Sequence, residues 1–534
     1  MKLVKGLLLG SAAALVSVGS AQAADLPTHK AAPVEYVRIC DAYGAGFFYI
    51  PGTDTCLKIG GMVLGEFRGF NPSYQISGAS FYGQGTRRQQ TVNGFAFNGY
   101  GPSAGQYTNH RERDATHFNA LGRVELDARN ATPWGTLRAF LRVDSYWGSG
   151  GNSSTGALGG IAFNTTAANR QARETTIINK AFIQFAGLTA GRAQSMFDFY
   201  ADAYNFAGLR GSNATVGLLS YTATFGGGFS ATLSFEDQAS RRAAVLSTLA
   251  SLPGQDPLNI GGITASSFQG NPGGARVPDI VGNLRYDDKW GSVQVSAAAH
   301  QVNASLFANT ATANPPTAVS TYAYPALTSN SYGFAVQGGI NLKMDYLAPG
   351  DQLWLQAAYE KGAYGYIAGN NLGFNYNAVN ANRFYGAGFT PMDYSYGWDP
   401  QINADCVFTA SGSCEKQWGW DVTGAFRHYW IPTLSSSLFG SYQEVHYSGN
   451  ALAGFGGAVG VANLKESRVG TNLVWTPIKG FNIGTEFMYI RLEQTRPVGL
   501  APDYGVGSLS NAGLPTFRPV QSEYEGRLRV QRSF

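Results

Sequence analysis

The stretch Tyr524-Glu525-Gly526-Arg527-Leu528-Arg529-Val530-Gln531-Arg532-Ser533-Phe534 alternates residue by residue. One face carries Phe534, Val530, Leu528, Gly526 and Tyr524; the other carries Ser533, Gln531, Arg529, Arg527 and Glu525. A two-residue period with one apolar and one charged face is a strand. A soluble sheet can bury such a face, but a final strand in a soluble domain usually trails into loose polar residues, whereas this one ends on a phenylalanine. Arg532 lies on the apolar face. Beside lipid it is tolerable only near the membrane edge, where an arginine costs about 0–1 kcal/mol against about 2–4 at the midplane.

The other end points to export. Met1-Lys2-Leu3-Val4-Lys5 is basic, Gly6 to Val18 is apolar and small, and Ala21-Gln22-Ala23 has a small-x-small pattern. This predicts a secretory signal peptide over 1–23, cut before Ala24. No other apolar run approaches the roughly 20 residues of a membrane helix. Removing Lys2 and Lys5 lowers the formal charge from +4 to +2, which gives no support to nucleic-acid binding.

Alternation recurs along the chain. Residues about 57–70 put Leu57, Ile59, Val63 and Phe67 against Lys58, Glu66 and Arg68. Residues about 116–129 put Phe118, Ala120, Val124 and Leu126 against Asn119, Arg123, Glu125, Asp127 and Arg129. Residues about 134–147 put Leu137, Leu141, Val143 and Trp147 against Arg138, Arg142 and Asp144. Further strands are expected near 174–186, 188–195, 217–226, 229–237, 279–287, 291–302, 331–346, 352–362, 416–431, 434–447, 468–477 and 481–493. With the terminal stretch this makes about 16, and tight turns alternate with long loops. An open sheet of that size leaves two unpaired edges, which a closed barrel removes. The expected fold is therefore all-β: a transmembrane antiparallel β-barrel wide enough for an aqueous channel. Trp134, Trp147, Trp290, Trp430 and Trp475 fall at strand ends, as interfacial girdles require. The domain reading is a signal peptide over 1–23, an N-terminal periplasmic segment over 24–55, and a barrel with long extracellular loops over 56–534.

Cys40, Cys56, Cys406 and Cys414 form two close pairs. In an oxidising compartment Cys40–Cys56 and Cys406–Cys414 are the natural disulfides. A metal site is the alternative, although His29, His110, His117, His300, His428 and His446 are scattered and none lies at ligand spacing from these pairs. There is no His-Glu-x-x-His helix, Gly-x-Ser-x-Gly elbow or phosphate loop. The expectation is a protein that is not an enzyme and needs no cofactor.

The run from Val37 through Cys40, Gly44-Ala45-Gly46-Phe47-Phe48-Tyr49-Ile50-Pro51-Gly52 and Cys56 to Leu57-Lys58-Ile59-Gly60-Gly61 closely resembles the start of the alphaproteobacterial outer-membrane porins. The terminal strand with Phe534 resembles that of bacterial outer-membrane barrels, in which a terminal phenylalanine belongs to the assembly signal. The resemblance implies a general trimeric porin. It would pass small hydrophilic solutes and ions passively, sit among outer-membrane lipid and lipopolysaccharide, and be inserted by the outer-membrane assembly machinery. Rival readings are a sugar- or anion-selective channel of the same architecture, and a structural or adhesive barrel plugged by its loops.

The informative constellation is electrostatic. Arg123, Arg129, Arg138 and Arg142 share a facing across a tight turn, and Arg192 is expected to join them as a basic pore wall; placing this set toward lipid would cost several kcal/mol. Glu125, Asp127 and Asp144 are available to pair with them. After Gly191-Arg192 comes the aromatic run Ser195 to Gly208, which carries Asp198 and Asp202. It looks like the third-loop start of general porins, though Phe206-Ala207-Gly208-Leu209-Arg210 replaces the familiar Pro-Glu-Phe-Gly-Gly-Asp. The resemblance implies a loop folded inward, with Asp198 and Asp202 facing the arginines across a narrow water column. Loop 363–415, with its cysteine pair, is expected to cover the outer mouth.

Overall fold

The computed structural model describes residues 38–70, 90–92, 95–97, 116–148, 173–249, 267–310, 321–368, 404–454, 461–495, 498 and 520–534. The signal peptide, residues 24–37 and residues 369–403 of the long loop lie outside them. The chain divides after Cys56 into two units.

The first unit, over its described residues, is a small disulfide knot. Cys40 and Cys56 are bonded with their Cα atoms 5.9 Å apart. Cys40, Phe47 and Cys56 form its buried core, flanked by Tyr43 and Tyr49. The Cys40 N–H donates to the Phe47 carbonyl at 3.0 Å, and Tyr49 N–H to the Arg38 carbonyl at 2.8 Å.

The second unit is a closed barrel of sixteen antiparallel strands. They are β1 (Cys56–Phe70), β2 (Thr116–Thr132), β3 (Gly135–Gly148), β4 (Arg173–Phe185), β5 (Leu188–Gln194), β6 (Thr215–Gly226), β7 (Phe229–Glu236) and β8 (Asp279–Asp288). Then follow β9 (Gly291–Thr310), β10 (Thr321–Lys343), β11 (Gln352–Lys361), β12 (Trp418–Ile431), β13 (Leu434–His446), β14 (Leu464–Ile478), β15 (Phe481–Gln494) and β16 (Val520–Ser533). Each pairs with its sequence neighbours, and β1 pairs with both β2 and β16, so no edge is left open. One end is made of tight turns. The β6–β7 turn needs its glycines: Gly226, Gly227 and Gly228 all have positive φ, where a side chain would be strained. Long connections make the other end.

The two-residue period fixes which way each strand faces. Large apolar side chains stay exposed on one face of successive strands: Val63, Val124, Tyr221, Leu233, Leu284, Val295, Val336, Leu355, Val422, Leu438, Leu473, Phe487 and Leu528. All five tryptophans placed at strand ends are exposed on the same surface. A soluble protein does not leave such a contiguous apolar belt in water; lipid does not penalise it. The intervening residues point inward. Arg532 sits at the rim, donating to the Lys479 carbonyl at 2.7 Å in the β14–β15 turn.

Several strands outrun their expected limits. Strand β9 continues to Thr310 and β10 begins at Thr321, well beyond 291–302 and 331–346. In β9 the alternation runs on through Val302, Ala304 and Leu306, all buried, but the β10 stretch Thr328-Ser329-Asn330-Ser331 is polar on both faces, and still the ladder continues through Asn303↔Asn330 and Ala304↔Ser329. Past the membrane rim both faces can be polar, so the sequence signal stops while the hydrogen bonds do not. Ser267–Pro272 extends the sheet there, paired with β9. Ala244–Ser247, Ala404–Phe408 and Cys414–Lys416 form a separate small sheet. It is pinned by the Cys406–Cys414 disulfide, whose Cα atoms are 5.4 Å apart.

Candidate functional site

The β5–β6 connection, residues 195–214, folds into the barrel and follows its inner wall. Each strand from β7 to β16 holds it. Glu236 of β7 accepts from Ser195 Oγ at 2.6 Å and Met196 N–H at 2.9 Å. Asn283 of β8 donates to the Met196 carbonyl at 2.6 Å. Gln294 of β9 and Gln337 of β10 donate to the Phe197 carbonyl. Gln356 of β11 accepts from Tyr200 N–H at 3.1 Å. Thr423 of β12 donates to the Arg210 carbonyl, and Ser441 of β13 accepts from Arg210 N–H. Asn472 of β14 donates to the Tyr204 carbonyl at 2.7 Å. Glu486 of β15 accepts from Phe206 and Ala207 N–H at 2.6 Å each. Arg527 of β16 donates to the Phe206 carbonyl at 2.9 Å. Bonds of this kind contribute about 0.5–1.5 kcal/mol each, and about 1.5–3 where one partner is ionised. The rings help where glycines leave room: a Cβ at Gly484 would stand 2.7 Å from the Phe206 ring. Phe197, Phe199 and Tyr200 are buried by this packing.

Asp198 does not face water as expected, while Asp202 is only half-buried. The Asp198 side chain is 2% exposed and pairs with Arg241 at 2.7 Å, which is fully buried. It also accepts from Ala214 N–H at 2.7 Å, from Ser212 and from Gln194. Asp202 accepts from Leu209 N–H at 3.0 Å, Asn205 at 2.7 Å and Asn213 at 2.9 Å. Burial raises its carboxyl above the ordinary value, partly offset by those donors. Ala201 and Asp202 have φ of 46° and 57°, so the segment turns where a four-residue spacing on a helix would have shown both acids on one face. Both carboxylates hold the loop's shape.

Four of the five arginines share one face of β2 and β3. Arg123 stands opposite Asp144, Glu125 opposite Arg142, and Arg129 opposite Arg138. Asp127 takes both Arg129 and Arg138, at 2.7 and 2.9 Å. Asp144 takes both Arg123 and Arg142, at 2.7 and 2.9 Å. Arg192 is elsewhere. It pairs with Ala181 of β4 and Gly217 of β6, in step with Leu188, Leu219 and Tyr221, and so belongs to the outward face. Its Nε donates to the Asn179 carbonyl at 3.2 Å.

Other wall residues were not singled out from the sequence. Arg68, Arg468, Arg527 and Arg529 also point inward. Glu466 binds Arg468 and, at 2.7 Å, the loop's Arg210. Glu66 binds Arg68 and Arg529, and Glu525 binds Arg527. The signal was present in the alternating charged face of the terminal stretch.

The interior is filled unevenly. Residues 241–249, 362–368 and 404–408 also tuck inward: Arg241 donates to the Gly365 carbonyl, Gln443 of β13 to the Ile367 carbonyl, and Tyr366 to Asp279 of β8. A dry cluster joins Leu209, Leu246, Tyr364, Ile367 and Val407 to the inward Ala358, Phe439, Leu464, Met488 and Ile490. The inner face of β11–β15 is thus largely covered, while the arginines of β2 and β3 keep part of their surface open to water.

Over residues 25–509 the chain matches the profile of the family described as "Porin subfamily". It is 33% identical over 295 residues to Porin Omp2b of Brucella suis biovar 1 (strain 1330), covering 54% of this chain and 64% of that protein. The figures are the same for Porin Omp2b of Brucella abortus (strain 2308). The match therefore spans less than two thirds of those relatives. Among solved structures, the outer membrane channel DcaP of Acinetobacter baumannii aligns at 13% identity with a TM-score of 0.47, over 91% of this chain and 99% of that one. OmpT of Vibrio cholerae aligns at 6% identity with a TM-score of 0.38, over 91% and 99%.

Proposed function

The chain belongs to the porin subfamily, and we propose that it is an outer-membrane channel for passive diffusion of small hydrophilic solutes and ions. One observation carries the reading. The inserted segments cover the inner face of β11–β15, and the charged inner face of β2 and β3 stays partly exposed beside them. A water column along that wall needs neither a cofactor nor an energy source.

The proposal extends to the rest of the molecule. A signal peptide over 1–23 is removed on export, and residues 24–55 lie on the periplasmic side. The barrel is inserted by the assembly machinery, with Phe534 in its recognition signal, and works as a homotrimer among lipid and lipopolysaccharide. Family membership supports these statements.

A sugar-specific channel is less well supported. A slide of rings must present its faces to solute, and Phe197, Phe199 and Tyr200 are buried against the wall. The test is current through purified, folded protein in a planar bilayer, with swelling of proteoliposomes in sugars of graded size. Large ohmic steps that close in thirds, and swelling that falls smoothly with sugar size, are expected. Silence would move the reading to a plugged, adhesive barrel; saturation by one sugar class would move it to a specific channel.

A further inference from the structure

We infer that this pore prefers anions, and that the paired guanidinium groups of Arg129–Arg138 and Arg123–Arg142 set the preference. The inference rests on the diffusion-pore reading and adds the class of solute.

The argument begins with which charges meet water. On β2 and β3 two arginines share one aspartate, twice over. Arg129 and Arg138 are each 27% exposed at the side chain, and Asp127 between them 12%. Arg123 and Arg142 are 19% and 18% exposed, and Asp144 behind them 0%. The same layering recurs where Arg529, 19% exposed, covers Glu66 at 1%. In these three clusters the carboxylates are the buried layer and the guanidinium groups the wetted one. Each trio carries a net charge of +1, and Lys180 adds a cation opposite Arg142. Glu125, across from Arg142, is the counter-charge that does reach water, 35% exposed. The wall formed by these residues thus keeps a net positive charge.

The second part of the argument is the loop. A transverse field needs free carboxylates facing the arginines. Asp198 is neutralised by Arg241 in a dry contact, and Asp202 accepts only from the uncharged donors of Leu209, Asn205 and Asn213, so at most one loop charge opposes the wall. One such charge does not cancel the net positive charge of the two trios with Lys180 and Glu125. Rings of one charge along a narrow aqueous path set ion preference. The planar guanidinium fork suits carboxylate- and phosphate-bearing solutes as well as chloride.

The test is the zero-current potential of the full, folded protein across a potassium chloride gradient at low salt, where screening is weakest. The wild-type sign should report chloride as the more permeant ion. Neutralising one net charge close to the ion path in water alters the preference by about two- to fourfold, and Arg129→Gln/Arg138→Gln removes two charges, turning its trio from +1 to −1, so it should lower the chloride-to-potassium ratio by about four- to sixteenfold. Arg123→Gln/Arg142→Gln gives an independent variant, and heat-modifiable gel mobility reports folding of both. Arg192→Gln, on the outer face, should leave the ratio unchanged. A wild-type sign favouring potassium, or a ratio that neither double variant moves, overturns this inference and leaves the diffusion pore intact. Folded protein without current overturns both.

Discussion

Phe534 and Gly61 exchange both backbone hydrogen bonds, each N–H donating to the other's carbonyl at 3.1 Å. The ladder that closes the barrel between β16 and β1 thus runs one residue past β16. A Cβ built on Gly61 would meet the Arg123 carbonyl oxygen of β2 and stand 2.8 Å from Phe534 Cζ and 3.2 Å from Cε2, so backbone and ring together occupy the space a side chain needs. Gly61→Val should push both the ring and the facing β2 backbone aside at a cost of about 1–3 kcal/mol, as overpacking does. The measurement is the temperature at which the folded gel band converts to the unfolded one. Phe534→Ala keeps the backbone pair and should lower that temperature less; an equal fall would mean that the ring's contact itself carries the closure.

Asp198 and Arg241 make a buried pair that ties the inserted loop to the segment after β7. Removing one partner of such a pair strands the other and costs about 3–5 kcal/mol, whereas removing both can be nearly neutral. Asp198→Asn and Arg241→Met should each destabilise the folded barrel more than the double variant does. Urea unfolding of the four proteins gives the cycle. Additive losses would mean that the two groups are independent.

Glu486 accepts the Phe206 and Ala207 N–H groups at the loop's far end. Glu486→Gln leaves one acceptor oxygen for two donors, so the loop tip should move more. Open-channel current noise is expected to rise while the mean conductance stays within about twofold, since the other strand anchors remain and each is worth about 0.5–1.5 kcal/mol. A channel as quiet as the wild type would show that those anchors suffice.

The barrel was legible because its rule is local: Val63 and Glu66, or Leu528 and Arg527, declare their faces by parity alone. The arginines of β2 and β3 were legible for the same reason, since one tight turn joins them and fixes their register. The outward facing of Arg192 was legible by the same parity, since it shares a face with Leu188 in β5, and was missed. Asp198 and Asp202 were misread for a different reason. Their partners are Arg241, 43 residues away, and backbone N–H groups such as that of Leu209, and no spacing rule reaches either. The extension of β10 was invisible because Thr328-Ser329-Asn330-Ser331 is polar on both faces, whereas that of β9 was legible in Val302, Ala304 and Leu306 and was missed.

Asp202 supplies a pH dependence. Burial raises its carboxyl above the ordinary value, so the fold holds that proton more tightly than the unfolded chain does. The contribution is most favourable below the unfolded value, about 3.9 for an aspartate, and is lost as pH climbs through the folded one. Asp202→Asn cannot titrate, and asparagine tolerates the positive φ of this position. Its amide oxygen can still accept from Leu209 and Asn205, while the contact with Asn213 must reverse its donor. The difference in melting temperature, variant minus wild type, should therefore rise with pH through the acid range and level off above it. Thermal melts of both proteins across that range decide it. A difference that falls with rising pH would mean that Asp202 is stabilised as the carboxylate, and that the donors around it outweigh its burial.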